Sequence, residues 1–151
     1  MNFNQYINKE TETIKLFELA TSDKIKVVKI FNEGYSPYDF IFTTSKYIYF
    51  CEVKTRAVRD DAYPDTILEQ MKIDKIYESV KEAEKIKTSD LEIRVGFLVR
   101  FTNSMYLFDL DKTPTTTSIK KCPQHTASNG NNNYIDKKLV HFLIRDGKKI
   151  A

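Results

Sequence analysis

Two short runs in this chain hold residues that can act together. They are Pro37-Tyr38-Asp39 and, thirteen residues beyond the aspartate, Glu52-Val53-Lys54. Paired carboxylates make a seat for magnesium, a hard ion that takes oxygen ligands and keeps several waters. Such an ion suits phosphodiester cleavage, which needs a nucleophilic water, neutralisation of charge building on the phosphate, and help for the leaving oxygen. A lysine beside the carboxylates can orient the water or offset the developing negative charge.

The surrounding pattern has to bring the three side chains together. Tyr38 to Thr43 and Lys46 to Thr55 are β-rich runs on either side of a short Thr/Ser turn, which reads as a hairpin. Alternation along a strand puts Glu52 and Lys54 on one face. With Thr44-Ser45 as the turn, Thr43 faces Lys46 and Asp39 faces Phe50. Asp39 then lies diagonally from Glu52 on the same side, roughly 7–8 Å away. A slip of one residue would turn Asp39 to the opposite face. Residues 47–51 are all apolar or aromatic, as in a strand buried on both sides. The charges at the tip of such a strand require a partner or an ion.

The rest of the chain alternates helix and strand, without an internal repeat. Lys9 to Leu19 reads as a helix with Ile14 and Phe17 on one face, and Lys24 to Phe31 as a strand ended by Asn32-Glu33-Gly34. Ala57 to Pro64 is a polar loop. Asp65 or Thr66 is expected to cap a long helix reaching Lys87, with Ile73, Tyr77 and Val80 facing inward. Leu91 to Phe101 and Met105 to Leu110 form a second strand pair. Thr113 to Asn133 reads as an extended or mobile loop, Leu139 to Ile144 as a last strand, and Asp146-Gly147 as a turn. This order predicts one α/β domain with a mixed central β-sheet flanked by helices. Residues 1–111 form its core, and 112–151 a basic extension of the same domain.

Composition narrows the setting. A chain of 151 residues, 41% hydrophobic, can bury a core without staples. Its apolar runs are too short to span a bilayer, and its first residues lack the pattern of a secretory signal. Two cysteines, Cys51 and Cys122, fit a reducing compartment, so a cytoplasmic location is expected. The net charge is only +3, but from Lys112 onward eight basic residues face two acids, a clustering that favours phosphate-rich partners.

Pro37-Tyr38-Asp39 with Glu52-Val53-Lys54 resembles the PD-(D/E)XK nuclease superfamily, which has the restriction-endonuclease-like fold. The run from Cys51 to Arg56, after Tyr38-Asp39-Phe40-Ile41, is similar to the archaeal-type Holliday-junction resolvases within it. The resemblance covers about Lys9 to Leu110 and departs from the strict pattern by the tyrosine between proline and aspartate. It implies that Asp39, Glu52 and the Val53 carbonyl ligate magnesium, with manganese as a substitute, and that Lys54 positions or activates water. It also implies a glutamate from the first helix. Glu10 is favoured because it shares a face with Ile14 and Phe17, while Glu12 and Glu18 stay open.

The function implied is a magnesium-dependent DNA endonuclease that hydrolyses phosphodiesters by in-line attack of water. Branched DNA such as a four-way junction is the first candidate substrate, and a homodimer with two active sites the expected assembly. The alternatives are a repair or phage-type nuclease acting on ends or duplexes, and an inactive DNA-binding module of the same fold.

Gln70 lies three residues before Ile73 near the start of the long helix and is a candidate to contact substrate or water, with Lys72 as its competitor. Arg56 and Arg59 follow the expected catalytic strand and suit phosphates, and Lys120, Lys121, Lys137, Lys138, Lys148 and Lys149 can extend that grip. Cys122 and His125 have a zinc-compatible spacing but too few companions. No Gly-rich phosphate loop accompanies the four glycines, which argues against a nucleotide cofactor. No base is evident for a serine or cysteine triad.

Overall fold

The computed structural model describes residues 3–31, 36–124 and 133–151, with side chains from residue 9 onward. Helix α1 (Phe3–Ala20) leads into strands β1 (Lys26–Ile30), β2 (Phe40–Thr43) and β3 (Tyr47–Thr55). Strand β4 (Asp65–Glu69) runs directly into helix α2 (Gln70–Ile86). Strands β5 (Glu92–Arg100), β6 (Met105–Asp109), β7 (Thr115–Pro123) and β8 (Tyr134–Leu143) follow. A single turn of 3-10 helix (Ile144–Asp146) and the short β9 (Lys148–Lys149) complete the order.

Six strands form the main sheet in the order β1-β2-β3-β5-β6-β9, and β4-β8-β7 form a smaller one. The main sheet is mixed: β3 and β5 run parallel, while β2 pairs antiparallel with β3 and β6 with β5. The parallel step needs a crossover, which β4 and α2 supply.

Two apolar layers hold the sheet. On one face Ile14 and Phe17 of α1 pack with Phe40, Phe42, Cys51, Val53 and Leu98. Phe17 is fully buried, its ring 5.8 Å from that of Phe40 and 5.1 Å from that of Phe42. Burying one such side chain contributes about 2–3 kcal/mol. The other face carries Phe50 and Val95 against Ile76 of α2. Beside them Phe97 and Phe108 meet Leu68 of β4, Ile73 of α2, and Val140 and Phe142 of β8. Since β3 alternates, Phe50, Glu52 and Lys54 share the α2 face, while Cys51 and Val53 face α1.

Three expectations need correction. Asp65 and Thr66 do not start a helix, because residues 65–69 form a strand whose Thr66 and Leu68 are buried. This strand pairs with β8, from Asp65 opposite Leu143 to Glu69 opposite Leu139. The stretch read as a loop contains the nine-residue β7, and the last strand begins at Tyr134 rather than Leu139. Finally, the hairpin register differs by two residues. Thr43 faces Ile48 and Phe40 faces Cys51, where the ladder ends, so Asp39 lies beside the Cys51–Val53 stretch rather than opposite Phe50. The turn is longer because the Thr44 hydroxyl accepts the N–H groups of both Lys46 and Tyr47. A slip of two preserves the face, so the functional side chains still converge.

Gly96 lies opposite Cys51 in the parallel pair, and a Cβ there would fall 2.6 Å from the buried Cys51 sulfur. Gly96→Ala should therefore destabilise the fold by about 1–3 kcal/mol, through strain next to the catalytic strand. Chemical denaturation reads this directly, and the double variant with Cys51→Ala should recover part of the loss.

Candidate active site

Glu52 is 5% exposed on the α2 face of β3, close to the end of that strand. A carboxylate in that position needs compensation, and two lysines supply it. Lys54 Nζ, two residues along the strand, lies 3.6 Å from Glu52 Oε1. Lys72 Nζ, from the first turn of α2, donates to the same oxygen at 3.3 Å.

Asp39 sits just before β2, where the chain bends. Its backbone N–H donates to the Cys51 carbonyl at 2.8 Å. Its side-chain Oδ2 accepts the Val53 N–H at 2.7 Å. The carboxylate thus continues the ladder where β2 stops, and it is held against the main chain between Glu52 and Lys54. In a strand the C=O of a residue points to the same side as its N–H, so the Val53 carbonyl opens toward Asp39. The Asp39 carboxylate, joined to the main chain of β3 at Val53, and the Glu52 carboxylate one residue before it thus lie on the same stretch of β3.

The electrostatics follow from this crowding. Burial, reinforced by Glu52 and Glu10, pushes the Asp39 carboxyl up to about 8, against the lowering effect of the Val53 N–H. Glu10 is raised as well, chiefly by burial and then by Glu52. Burial lowers Lys54, with neighbouring Lys72 acting in the same sense. Burial also pulls Lys72 down, but the Glu52 carboxylate, the hydrogen bond with Lys54 and the charge of Asp39 together outweigh it, and Lys72 ends above its ordinary value. Of the three first-helix glutamates, Glu10 is the one whose charge interacts with this group. Glu12 instead binds Arg100 at 3.2 Å, and Glu18 is exposed.

Gln70 does not join them. Its side chain donates to Asp74 Oδ1 at 2.9 Å on the outer surface of α2. The residue that reaches Glu52 is Lys72, four positions before the fully buried Ile76. That i, i+4 relation to an apolar inward position was the available signal. Lys72→Ala should accordingly lower cleavage by about tenfold or more, whereas Gln70→Ala should change it less than twofold. Single-turnover rates on one substrate make the comparison.

The basic candidates are dispersed. Arg56 Nη2 donates to the Ile67 carbonyl at 2.6 Å, joining the end of β3 to β4, which gives it a structural task. Arg59 is exposed and bound to Asp61 at 3.2 Å. Lys120 and Lys121 lie on β7, on opposite faces of that strand.

A relay absent from the sequence reading lies on the small sheet. His141 Nδ1 is 2.6 Å from Asp65 Oδ2, and its Nε2 is 2.6 Å from Ser118 Oγ. The side chains come from β4, β8 and β7, distant in sequence and adjacent through strand pairing. They lie on an open strand surface, where they fasten three strands side by side. Cys122 is half-buried with a free thiol, and His125 is outside the described residues. Among the described residues, no group of three or more His, Cys, Asp or Glu closes a metal cage. None of their helices is long and apolar enough to cross a membrane.

No protein-family model and no curated protein matches the chain. Among solved structures it is similar to Hjc, a Holliday junction resolvase from the archaeal hyperthermophile Archaeoglobus fulgidus. The TM-score is 0.56 over 93% of this chain and 96% of that one, at 10% sequence identity. The likeness establishes the architecture: the chain has the restriction-endonuclease-like nuclease fold, an α/β arrangement with a mixed central sheet.

Proposed function

We propose that the chain is a magnesium-dependent DNA endonuclease with Asp39, Glu52 and Lys54 as its catalytic group. The observation that carries this reading is the seat of Asp39 on β3, where its Oδ2 accepts the Val53 N–H at 2.7 Å between Glu52 and Lys54, themselves 3.6 Å apart; burial, and then Glu52, raise the Asp39 carboxyl. A fold does not hold two carboxylates this way for stability, and a dication relieves the conflict. The donor set fits magnesium, a hard ion: oxygens of two carboxylates, with the Val53 carbonyl beside them. Manganese suits the same donors.

When bound, magnesium supplies charge neutralisation at the phosphate and a more acidic water. The chain supplies the rest. Asp39, held in place by the Val53 N–H, and Glu52 would hold the ion as carboxylates. Lys54, its ammonium lowered by burial, orients the attacking water or stabilises the charge developing on the phosphate. Lys72 balances Glu52 before substrate arrives and is close enough to turn toward a phosphate oxygen. Glu10 adds negative charge on the α1 side.

Branched DNA is the substrate class suggested by the likeness to a Holliday junction resolvase. Symmetric cutting of a junction requires two active sites, hence a homodimer. The test is a panel of linear, forked and four-way DNA with magnesium, using Glu52→Ala and Lys54→Ala as controls. Cleavage of the four-way substrate that both variants abolish supports the proposal. Equal cutting of all forms would leave a nuclease of broader use. A second reading, a DNA-binding module without turnover, draws on one observation: two lysines already neutralise Glu52. DNA binding without cleavage under magnesium and manganese would select it.

A further inference from the structure

One projection of the chain carries a net positive charge. Past Glu69, where β4 gives way to α2, β7 and β8 continue as a two-stranded arm made of residues 119–123 and 134–138. Five residues of strand extend roughly 17 Å. The arm holds Lys120, Lys121, Lys137 and Lys138 against one acid, Asp136, and so equals the +3 of the whole chain.

Register divides the arm into two faces. Ile119 pairs with Lys138, Lys121 with Asp136 and Pro123 with Tyr134, which puts these six on one face. Further along the same strands that face carries Val140 and Phe142, packed on Leu68 and on Ile73 of α2. It therefore looks to the side of α2, the helix whose first turn sends Lys72 to Glu52. Beyond the body of the protein this face has lost its cover. Ile119 is 74% and Tyr134 68% exposed, with Lys121 and Lys138 exposed between them. Asp136 shares the face and limits its charge, so Lys138, set opposite an isoleucine, is the stronger cation. The other face is tied down. Lys137 binds Glu69 at 3.1 Å, and the Ser118–His141–Asp65 relay fastens the root of the arm to β4.

We propose that this arm is a second DNA-contact surface, seated in a groove of the duplex that flanks the scissile phosphate. Lys121 and Lys138 address phosphates, and Ile119 and Tyr134 pack on sugars and base edges. A two-stranded ribbon has the width to enter a major groove. Lysines interleaved with exposed apolar side chains match a surface that combines backbone contact with base contact. The inference rests on the nuclease reading for the position of the scissile bond.

The test is equilibrium binding of a four-way DNA substrate without divalent cation, across a salt series. Lys121→Glu/Lys138→Glu is compared with Lys81→Glu/Lys85→Glu, an equal charge change at exposed positions of α2. The arm variant should bind at least about tenfold more weakly and lose roughly two from its salt slope. Ile119→Ala/Tyr134→Ala should weaken binding at all salt concentrations without altering the slope. Binding by the arm variant within about threefold of the parent, or an equal loss in the α2 variant, overturns the proposal. A parent chain that cuts DNA while the arm variant binds normally overturns the arm alone. A parent that neither binds nor cuts DNA overturns the nuclease reading, and the arm proposal with it.

Discussion

Asp39→Asn and Glu52→Gln should each lower DNA cleavage by about a thousandfold or more while DNA binding persists, and they should move stability in opposite directions. The shared loss follows from removing one of the two carboxylates that would seat the cation in the proposed site. The divergence follows from their surroundings. Asp39 is crowded by Glu52 and Glu10 in a half-buried position, so its ionised form is unfavourable without metal. An asparagine keeps an oxygen to accept the Val53 N–H and removes the charge. The metal-free Asp39→Asn protein should therefore melt about 3 °C or more higher than the parent near pH 8. Glu52 is the common partner of Lys54 and Lys72. Glu52→Gln leaves two ammonium groups side by side, and because both lysines are partly exposed the cost is only about 1–2 kcal/mol. Thermal melts beside single-turnover cleavage separate the two signs, and a stability loss in both variants would contradict this picture of the site.

The second large effect is a linkage between pH, metal and stability. Asp39 is raised in the folded chain from an ordinary 3.8 to about 8. Between those values the native state holds a proton that the unfolded chain has released. Stability therefore falls as pH rises through that window, and the favourable contribution is present only at its acid end. Glu10, also raised, adds to the same slope. A divalent cation held at the proposed site would stabilise the native state by mass action and compete with the proton on Asp39. Metal-free protein should thus lose melting temperature from about pH 5 to about pH 8, millimolar magnesium should remove most of that loss, and Asp39→Asn should abolish both responses. A melting temperature that ignores magnesium at the alkaline end would count against a cation at this position.

The convergence of Asp39 with Glu52 and Lys54 was legible because strand alternation is tolerant of the error made. Reading the turn two residues too short misplaced Asp39 along the strand and left it on the correct face, since side-chain direction repeats every two residues. What failed depended on distant partners. Residues 65–69 carry the polar-to-apolar pattern of a helix start, but the strand that claims them lies some seventy residues later, in β8. Residues 115–123 are rich in Thr, Ser and Lys and exposed nearly throughout, so burial left no alternation to detect. The choice between Gln70 and Lys72 turned on helix phase: Lys72, four residues before the buried Ile76, reaches Glu52, while Gln70 bonds Asp74. The relay of Ser118, His141 and Asp65 was invisible for the same reason as β7, because its members meet only through strand pairing.

The most direct test is an anomalous-difference map from crystals soaked in manganese. A peak within coordination distance of the Asp39 and Glu52 carboxylates, and missing in Asp39→Asn crystals soaked alike, is the predicted result. Density for manganese elsewhere, with the Glu52 carboxylate still closed on Lys54 and Lys72, would contradict it.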